Sequence, residues 1–365
     1  GNAYLNIRMS YVSYSNAMYG ISRNSNNDGI RFFGSQGDTL SITNSYFRNI
    51  YERFFKGSMM IGFNGLGLIK NNKFADFGFT LFNDVLVNTN SLLHLDSNQF
   101  LGIDHGYMSG YFKIEDDSSR IWITNNTTNA HCDFLFYDYN DESVRDYGIV
   151  CEGNNFKGDG EDEIQFYGSG GTIGKWLFKD NVVDSAYVTF KYGKKALIQG
   201  NTIKNCTKYN RKGLSINSTS AVVENNTITG HRGTGLELNN YTGYEDVVTD
   251  TIRNNIITGN NTYDASYYAG IYVSGYGNHV IWYNDIYDNS DDDYDLYVST
   301  GDLSGDLDAR FNYWGTTATA QMVEGDNPKN IDRIYDHYDY DSYNTVTYAN
   351  WLSESGGDPP SNYTV

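Results

Sequence analysis

Six basic side chains lie close together along the middle of the chain and could serve a reaction on an acidic sugar. They are Lys191, Lys194, Arg211, Lys212, His231 and Arg232. A lyase acting on a uronate needs a base, and it needs positive groups that neutralise the sugar carboxylate. The same residues also fit a solvated basic patch on an otherwise acidic molecule, and we prefer that interpretation.

Two acidic clusters are candidates for Ca²⁺, which takes about six to eight oxygen ligands. Their residues are Asp159, Glu161, Glu163, Asp291, Asp293 and Asp295. Neither cluster has the spacing of an EF-hand loop, so solvated loop charge is the preferred interpretation. The six histidines show no H-E-x-x-H arrangement, which leaves zinc unsupported. We therefore expect no cofactor, with Ca²⁺ as the one cation that the sequence allows.

Eight N-x-[ST] sequons are compatible with a secreted glycoprotein. They begin at Asn125, Asn126, Asn205, Asn217, Asn225, Asn240, Asn260 and Asn362. Each sequon alone is weak, because Asn and Thr are common in turns. The three cysteines cannot all pair with one another, so we expect small buried side chains rather than a disulfide framework.

The net charge of −19 and the lack of a basic stripe argue against a nucleic-acid partner. No apolar stretch approaches the roughly 18 residues of a membrane span. The chain opens at Gly1 in strand-like sequence, without a signal peptide, so we expect a mature or excised segment of something longer. These features favour an extracellular or cell-surface protein.

A sequence repeat predicts the elements that position these residues. Val223-Glu-Asn-Asn-Thr-Ile-Thr-Gly230 returns almost unchanged as Ile252-Arg-Asn-Asn-Ile-Ile-Thr-Gly259. An asparagine followed two places later by an apolar or aromatic residue, with a single Thr exception, recurs every 20 to 29 residues. These markers are Asn44, Asn72, Asn98, Asn126, Asn154, Asn181, Asn201, Asn226, Asn255, Asn284 and Asn312. Such a narrow band of periods indicates a solenoid, of about twelve coils if Ser10 marks a further one.

The columns around each marker predict which side chains are buried. The residues three places before it and two places after it are mostly apolar, and we expect them to face inward. The residues two places before it, among them Lys70, Asp96, Thr124 and Glu152, should face outward. The marker itself is the corner between two short strands, where Asn tolerates the left-handed backbone conformation. Stacked corners would form an asparagine ladder.

Three short strands in each coil predict an all-β fold, a right-handed single-stranded parallel β-helix. The repeats, together with Arg310-Phe-Asn-Tyr-Trp-Gly315, resemble the pectate-lyase-like superfamily of extracellular β-helix proteins, which includes the CASH-type domains and many cell-surface proteins. The resemblance covers roughly residues 5 to 352. It implies the fold but not an activity, because the superfamily includes lyases, hydrolases, epimerases and non-catalytic modules.

Three segments follow from this interpretation. Residues 1–315 form the β-helix, residues 316–352 form a C-terminal cap, and residues 353–365 form a linker or tail. Ile331, Ile334, Tyr335 and Tyr338 follow helical spacing, so we expect a short helix at 330–337. A solenoid needs such a cap over its open end.

Two functions stay open. The polygalacturonase-like hydrolases of the superfamily carry four motifs in order, and only Asp116-Asp117 and Gly230-His231-Arg232 come near two of them. The preferred function is therefore a non-catalytic structural or adhesive module of a cell-surface, sheath or filament assembly. Its partners would be copies of itself, other surface proteins or glycans, contacted through loop tyrosines such as Tyr263, Tyr267, Tyr268 and Tyr276. The alternative is an enzyme acting on an extracellular polysaccharide.

Overall fold

The structure is a computed structural model. It describes residues 6–10, 13–21, 39–61, 64–77, 82–87, 89–102, 109–114, 118–129, 131–138, 147–168, 173–208, 211–241, 248–262, 269–290 and 294–358. The chain forms two compact units. The first comprises Gly1–Ala186 and Tyr192–Lys194, and the second comprises Tyr187–Lys191 and Lys195–Val365.

Short strands dominate the described residues, with one helix. The strands β1 to β17 are Asn6–Ser10, Ser13–Ile21, Thr39–Thr43, Tyr46–Ile61, Leu66–Lys70, Lys73–Phe77, Phe82–Val87, Leu92–Asp96, Gln99–Leu101, Ser109–Ile114, Arg120–Thr124, Thr127–Thr128, Asp133–Asp138, Ile149–Glu152, Asn155–Gly168, Ile173–Lys179 and Val182–Lys191. The strands β18 to β32 are Gly193–Gln199, Thr202–Lys204, Leu214–Asn217, Ala221–Glu224, Thr227–Thr229, Leu236–Asn240, Thr249–Arg253, Ile256–Thr258, Ala269–Gly275, Asn278–Trp282, Asp285–Tyr287, Tyr294–Val298, Leu307–Asp308, Ile334–Tyr335 and Val346–Thr347. The helix α1 is Gly315–Val323.

In the first unit, one sheet stacks seven parallel strands in the order β1-β3-β5-β8-β11-β14-β16. Its inward column, which includes Ile69, Leu95 and Ile123, is buried as predicted. Alternation of side chains along each strand turns the neighbouring residues outward. The outward face of this sheet carries the site described below.

In the second unit, the corresponding parallel sheet runs β18-β21-β24-β27-β30-β32. Val223, Ile252 and Ile281 are fully buried on its inward side. Both units are therefore parallel β-helices, as the repeat predicts. The strand counts of seven and six within the described residues differ slightly from the predicted twelve coils.

A ladder of buried asparagines lines one corner in each unit. The Asn226 amide nitrogen donates to the Asn255 carboxamide oxygen at 3.0 Å and to the Ile198 carbonyl at 2.8 Å. Asn98 and Asn126 make the same contacts in the first unit. The buried members are Asn72, Asn98, Asn126, Asn154, Asn181, Asn201, Asn226, Asn255, Asn284 and Asn312.

Two details of the corner differ from the sequence-based expectation. Asn44 is not a ladder residue: its side chain is exposed, and the buried Ser45 takes the position, its backbone N–H donating to Asn72. The residue with the left-handed backbone is the one before the ladder asparagine, as at Asn225 with φ 57°. The Asn-Asn doublets therefore combine a turn residue with a ladder residue.

The end of the second unit also needs a correction. The helix lies at Gly315–Val323, beginning three residues after the last ladder residue, Asn312, and not at 330–337. Ile334 and Tyr335 instead form a strand against Leu296 and Tyr297. The edge of a parallel sheet offers unpaired backbone groups, and pairing with them outweighs a helical side-chain spacing. Residues 351–358 follow, where Ser355 and Gly356 hydrogen-bond the Asp285 carboxylate.

Candidate functional site

An open groove of about 780 Å³ lies on the outward face of the first unit. Strands β8, β11, β14 and β16 form its floor. The groove is lined by His94, Asp96, Arg120, Trp122, Thr124, Asn125, Tyr147, Val150, Glu152, Gly153, Leu177 and Asp180. The parallel register produces two outward rows across these strands. One row contains Leu68, His94, Trp122, Val150 and Leu177, and the other contains Lys70, Asp96, Thr124, Glu152 and Lys179.

Trp122 is the large exposed aromatic residue of the first row. Its side chain is 38% exposed, and its ring meets that of His94 edge to face at 5.5 Å. An indole in an open groove offers a flat apolar surface, and its N–H can still donate a hydrogen bond. Such a surface suits a ligand with one apolar face and polar edges.

Asp96 is held as a carboxylate by its neighbours. Lys70 Nζ lies 2.8 Å from Asp96 Oδ2, and Asn125 and Thr124 donate to Asp96 Oδ1 at 3.1 and 3.0 Å. Burial alone would raise the pKa of Asp96, but the Lys70 ammonium and these hydrogen bonds hold it well below its usual range. Asp96 is therefore a fixed negative charge.

His94 is a neutral hydrogen-bonding group whose tautomer follows from the geometry. The Thr124 hydroxyl has one proton, which it donates to Asp96, so its oxygen accepts from His94 Nε2–H at 2.8 Å. His94 Nδ1 then carries a lone pair. Burial lowers the pKa of His94 and outweighs the attraction of the nearby Asp96 carboxylate. At neutral pH this ring can accept a hydrogen bond from a ligand hydroxyl.

The other end of the second row is a pair of opposite charges. Lys179 Nζ lies 2.9 Å from Glu152 Oε1 and 3.4 Å from Asp180 Oδ2. These carboxylates raise the pKa of Lys179 through hydrogen bonds and charge attraction, so the side chain is protonated at neutral pH. The row therefore presents charged groups that are already paired with each other.

The predicted basic group contains a histidine that cannot reach solvent. His231 is fully buried, its Nδ1 accepts from the Cys206 backbone N–H, and its Nε2 lies 3.0 Å from the Ile203 carbonyl. Burial lowers the pKa of His231 to about 4, so the ring is neutral. It belongs to a second corner ladder with Asn260 and Asn289. His231 therefore cannot act as a base toward a ligand at the surface, and its place in the predicted basic group is wrong.

The basic residues of this group are engaged locally or lie on the surface. Lys212 pairs with Glu237 at 2.8 Å, and the Arg211 guanidinium lies 5.0 Å from the centre of the Tyr187 ring. Lys194 is exposed, and Lys191 and Arg232 are half-buried. Lys194 falls in the first unit and the others in the second.

The acidic candidates for Ca²⁺ lie in different surroundings. Asp295 is buried and is bound by Arg333 and Asn289, so it is not a free ligand. Asp159 lies close to Asp162 of the same acidic stretch and to His131, which the sequence did not suggest; one ligand atom of each of the three residues lies within 4.8 Å of the others. Asp162 already accepts the backbone N–H groups of Cys132 and Asp159. The remaining candidates, Glu161 and Glu163, are not part of this cluster, while Asp291 and Asp293 lie outside the described residues.

Half of the sequons are excluded as glycosylation sites in the folded protein. Asn126, Asn217, Asn240 and Asn260 are buried, and the amide nitrogens of Asn126 and Asn260 are ladder donors. A buried amide cannot carry a glycan without unfolding the corner. The exposed sequon asparagines are Asn125, Asn205 and Asn225. Asn362 lies outside the described residues.

The aromatic and cysteine residues complete the survey. Tyr276 is exposed, while Tyr263, Tyr267 and Tyr268 lie outside the described residues. The three cysteines are buried thiols, as predicted. Within the described part of the chain, no helix has the length and apolar character needed to cross a bilayer.

The sequence predicts part of the groove. The outward column, two places before the ladder asparagine, contains Asp96, Thr124 and Glu152, but it does not by itself indicate a site. His94 and Trp122 lie in the column four places before that asparagine. An aromatic residue in that column, beside an outward charge, is the signal that the sequence contains.

These features define the protein as a parallel β-helix with a polar-aromatic groove on one unit. Residues 142–296 match the model of a β-helix family described as "Protein of unknown function (DUF1565)". His94, Asp96 and Trp122 of the groove lie before the matched range. No curated protein and no solved structure matches the chain.

Proposed function

We propose that this protein is a non-catalytic extracellular β-helix module with a structural or adhesive role, and that the groove of its first unit binds carbohydrate. The observation that carries the proposal is the exposed Trp122 ring beside the row of charged residues in an open groove. Aromatic rings stack on the apolar faces of sugars, and flanking polar groups bond the hydroxyls. The paired strands beneath give the groove a rigid floor.

A second candidate is a carbohydrate-active enzyme that uses the same groove. The chain of hydrogen bonds from Asp96 through Thr124 to His94 favours it, because this chain fixes the tautomer of a neutral histidine. A neutral imidazole with a free lone pair can act as a base. The buried His231 and the scattered lysines do not support a centre at the basic group.

Assembly into filaments and contacts with other surface proteins remain predictions from the sequence. They rest on the strand-like sequence after Gly1 and on the loop tyrosines. Residues 1–5 and most of those tyrosines lie outside the described residues.

Binding assays on two tryptophan variants test the proposal. Titration calorimetry with a panel of neutral, acidic and amino-sugar oligosaccharides should show a ligand whose affinity falls at least about tenfold in Trp122→Ala. The matched control is Trp282→Ala in the second unit, which should bind normally. The Arg310 guanidinium lies 5.7 Å from the centre of the Trp282 ring.

Two outcomes would contradict the proposal. If no oligosaccharide binds, or if both variants weaken binding equally, the groove is not a carbohydrate site. If the protein releases new reducing ends and His94→Gln abolishes that release, the enzymatic candidate replaces the non-catalytic one.

A further inference from the structure

The charged groups of the second row are arranged as ion pairs. Asp96 and Glu152 line the groove as carboxylates, and Lys70 and Lys179 beside it each pair with one of them. Each pair is neutral as a unit, although the whole chain carries −19.

The ion pairs also occupy the charged groups of the second row that a charged sugar would need. Lys70 is 2.8 Å from Asp96, and Lys179 is 2.9 Å from Glu152. A uronate would have to draw one of these lysines from its carboxylate, and an amino sugar would have to draw a carboxylate from its lysine. Either exchange loses one charged contact for each one gained and adds the desolvation of the ligand.

Uncharged hydroxyl groups meet no such conflict. A hydroxyl can donate to a carboxylate oxygen that already accepts from lysine, because each oxygen has two lone pairs. It can also donate to His94 Nδ1, the lone pair left by the Thr124 contact. The balanced row thus provides hydrogen-bond acceptors without a net field.

The first row, which contains Trp122, indicates how such a ligand would lie. Trp122, Val150 and Leu177 occupy matching positions on successive strands, about 4.8 Å apart. A linear chain of sugar rings crossing the strands would contact this row with its apolar faces and the charged row with its hydroxyls.

Building on the proposed carbohydrate-binding function, we propose that the groove selects uncharged oligosaccharides and discriminates against both uronates and amino sugars. The ion pairs of the second row are the selectivity device. If one member of an ion pair is removed, the groove should gain affinity for a sugar whose charge is opposite to that of the member left behind.

The first test compares three ligands on the wild-type protein at low salt: a neutral xylo- or manno-oligosaccharide, oligogalacturonate and a chitosan oligomer. The neutral ligand should bind at least about fivefold more tightly than either charged one, and its affinity should change little with added salt. If a charged oligomer binds as tightly as the neutral ones and depends on Trp122, the selectivity is wrong while the proposed function stands. If nothing binds, both fall.

The second test unbalances the row. Glu152→Gln frees Lys179 from its closest partner and should raise the affinity for oligogalacturonate about fivefold relative to the affinity for the neutral ligand. The matched control is Glu224→Gln, which breaks the Arg253 pair on the corresponding face of the second unit and should change neither. Thermal melts establish that both variants fold. If Glu152→Gln leaves oligogalacturonate binding unchanged, the ion pairs do not set the selectivity.

Discussion

The outward faces of the corresponding sheets differ between the two units. In the first unit, Trp122 stands open in a groove beside His94. In the second unit, Trp282 occupies an outward position in the row of Glu224 and Arg253, and the Arg310 guanidinium lies 5.7 Å from its ring centre. Arg310 is itself fixed by two 2.8 Å contacts with Asp308. Interiors built on the same pattern therefore lie beneath one open and one covered tryptophan.

This difference separates what folds the protein from what gives it a surface for binding. The interior columns and the asparagine ladder repeat from coil to coil in both units, so they explain the fold. The outward residues follow no repeat. A neighbour such as Arg310 decides whether a tryptophan is available to a ligand.

The largest effect is expected where the units are alike. Asn126→Leu in the first unit and Asn226→Leu in the second should each lower the free energy of unfolding by about 1–3 kcal/mol. Each variant leaves a buried backbone N–H, of Asn98 or Asn201, and a buried carbonyl, of Leu95 or Ile198, without its side-chain partner. Denaturant titration measures the loss. Asn225→Gly is the control: residue 225 is exposed with φ 57°, which glycine adopts freely, so stability should hold. An unchanged free energy of unfolding in either leucine variant would show that the ladder does not stabilise that unit.

The acid response should distinguish the two faces. Because the pKa of Asp96 is depressed in the folded state, its contribution to stability is complete above the ordinary aspartate pKa and is lost as pH falls below about 4. Asp96→Asn should lower stability at pH 7 by about 1 kcal/mol, a value reduced for solvent screening. It should also flatten the pH dependence between about pH 4 and 2.

The control for this prediction is Glu224→Gln, whose carboxylate occupies the same outward row in the second unit. Unfolding titrations from pH 7 to 2 compare both variants with the wild type. An unchanged acid slope in Asp96→Asn would mean that the Lys70, Thr124 and Asn125 contacts do not stabilise the carboxylate.

A smaller effect should follow from removing the cover over Trp282. Arg310→Ala loses a cation–π contact and a surface ion pair, and should cost about 0.5–1 kcal/mol of stability. It should also expose the indole, seen as a red shift of tryptophan fluorescence relative to a matched Arg253→Ala variant. If the emission does not move, Arg310 is not what covers the ring.

The fold was predictable because a repeat shows each structural position many times over. At one coil the repeat predicts the wrong ladder residue: the position belongs to Ser45, and Asn44 beside it supplies the turn. The terminal segment at 330–337 has no repeat to correct it, and its helical spacing was outweighed by pairing with β29. Local spacing cannot reveal which sheet edge a segment will meet.

The groove was harder to predict, since it depends on what leaves Trp122 open and covers Trp282. Charge proximity along the chain was misleading in the same way. His231 lies between Gly230 and Arg232 in a basic stretch, yet its column is a buried ladder position. Only the register across coils separates an inward histidine such as His231 from an outward one such as His94.

The central claim is that the first unit, and not the second, binds uncharged sugar on its outward face. A crystal structure with a bound neutral oligosaccharide tests it most directly. We predict a sugar ring stacked on Trp122, with hydroxyls within hydrogen-bond distance of His94 Nδ1 and the Asp96 or Glu152 carboxylate. A sugar bound instead beside Trp282 of the second unit would contradict the account.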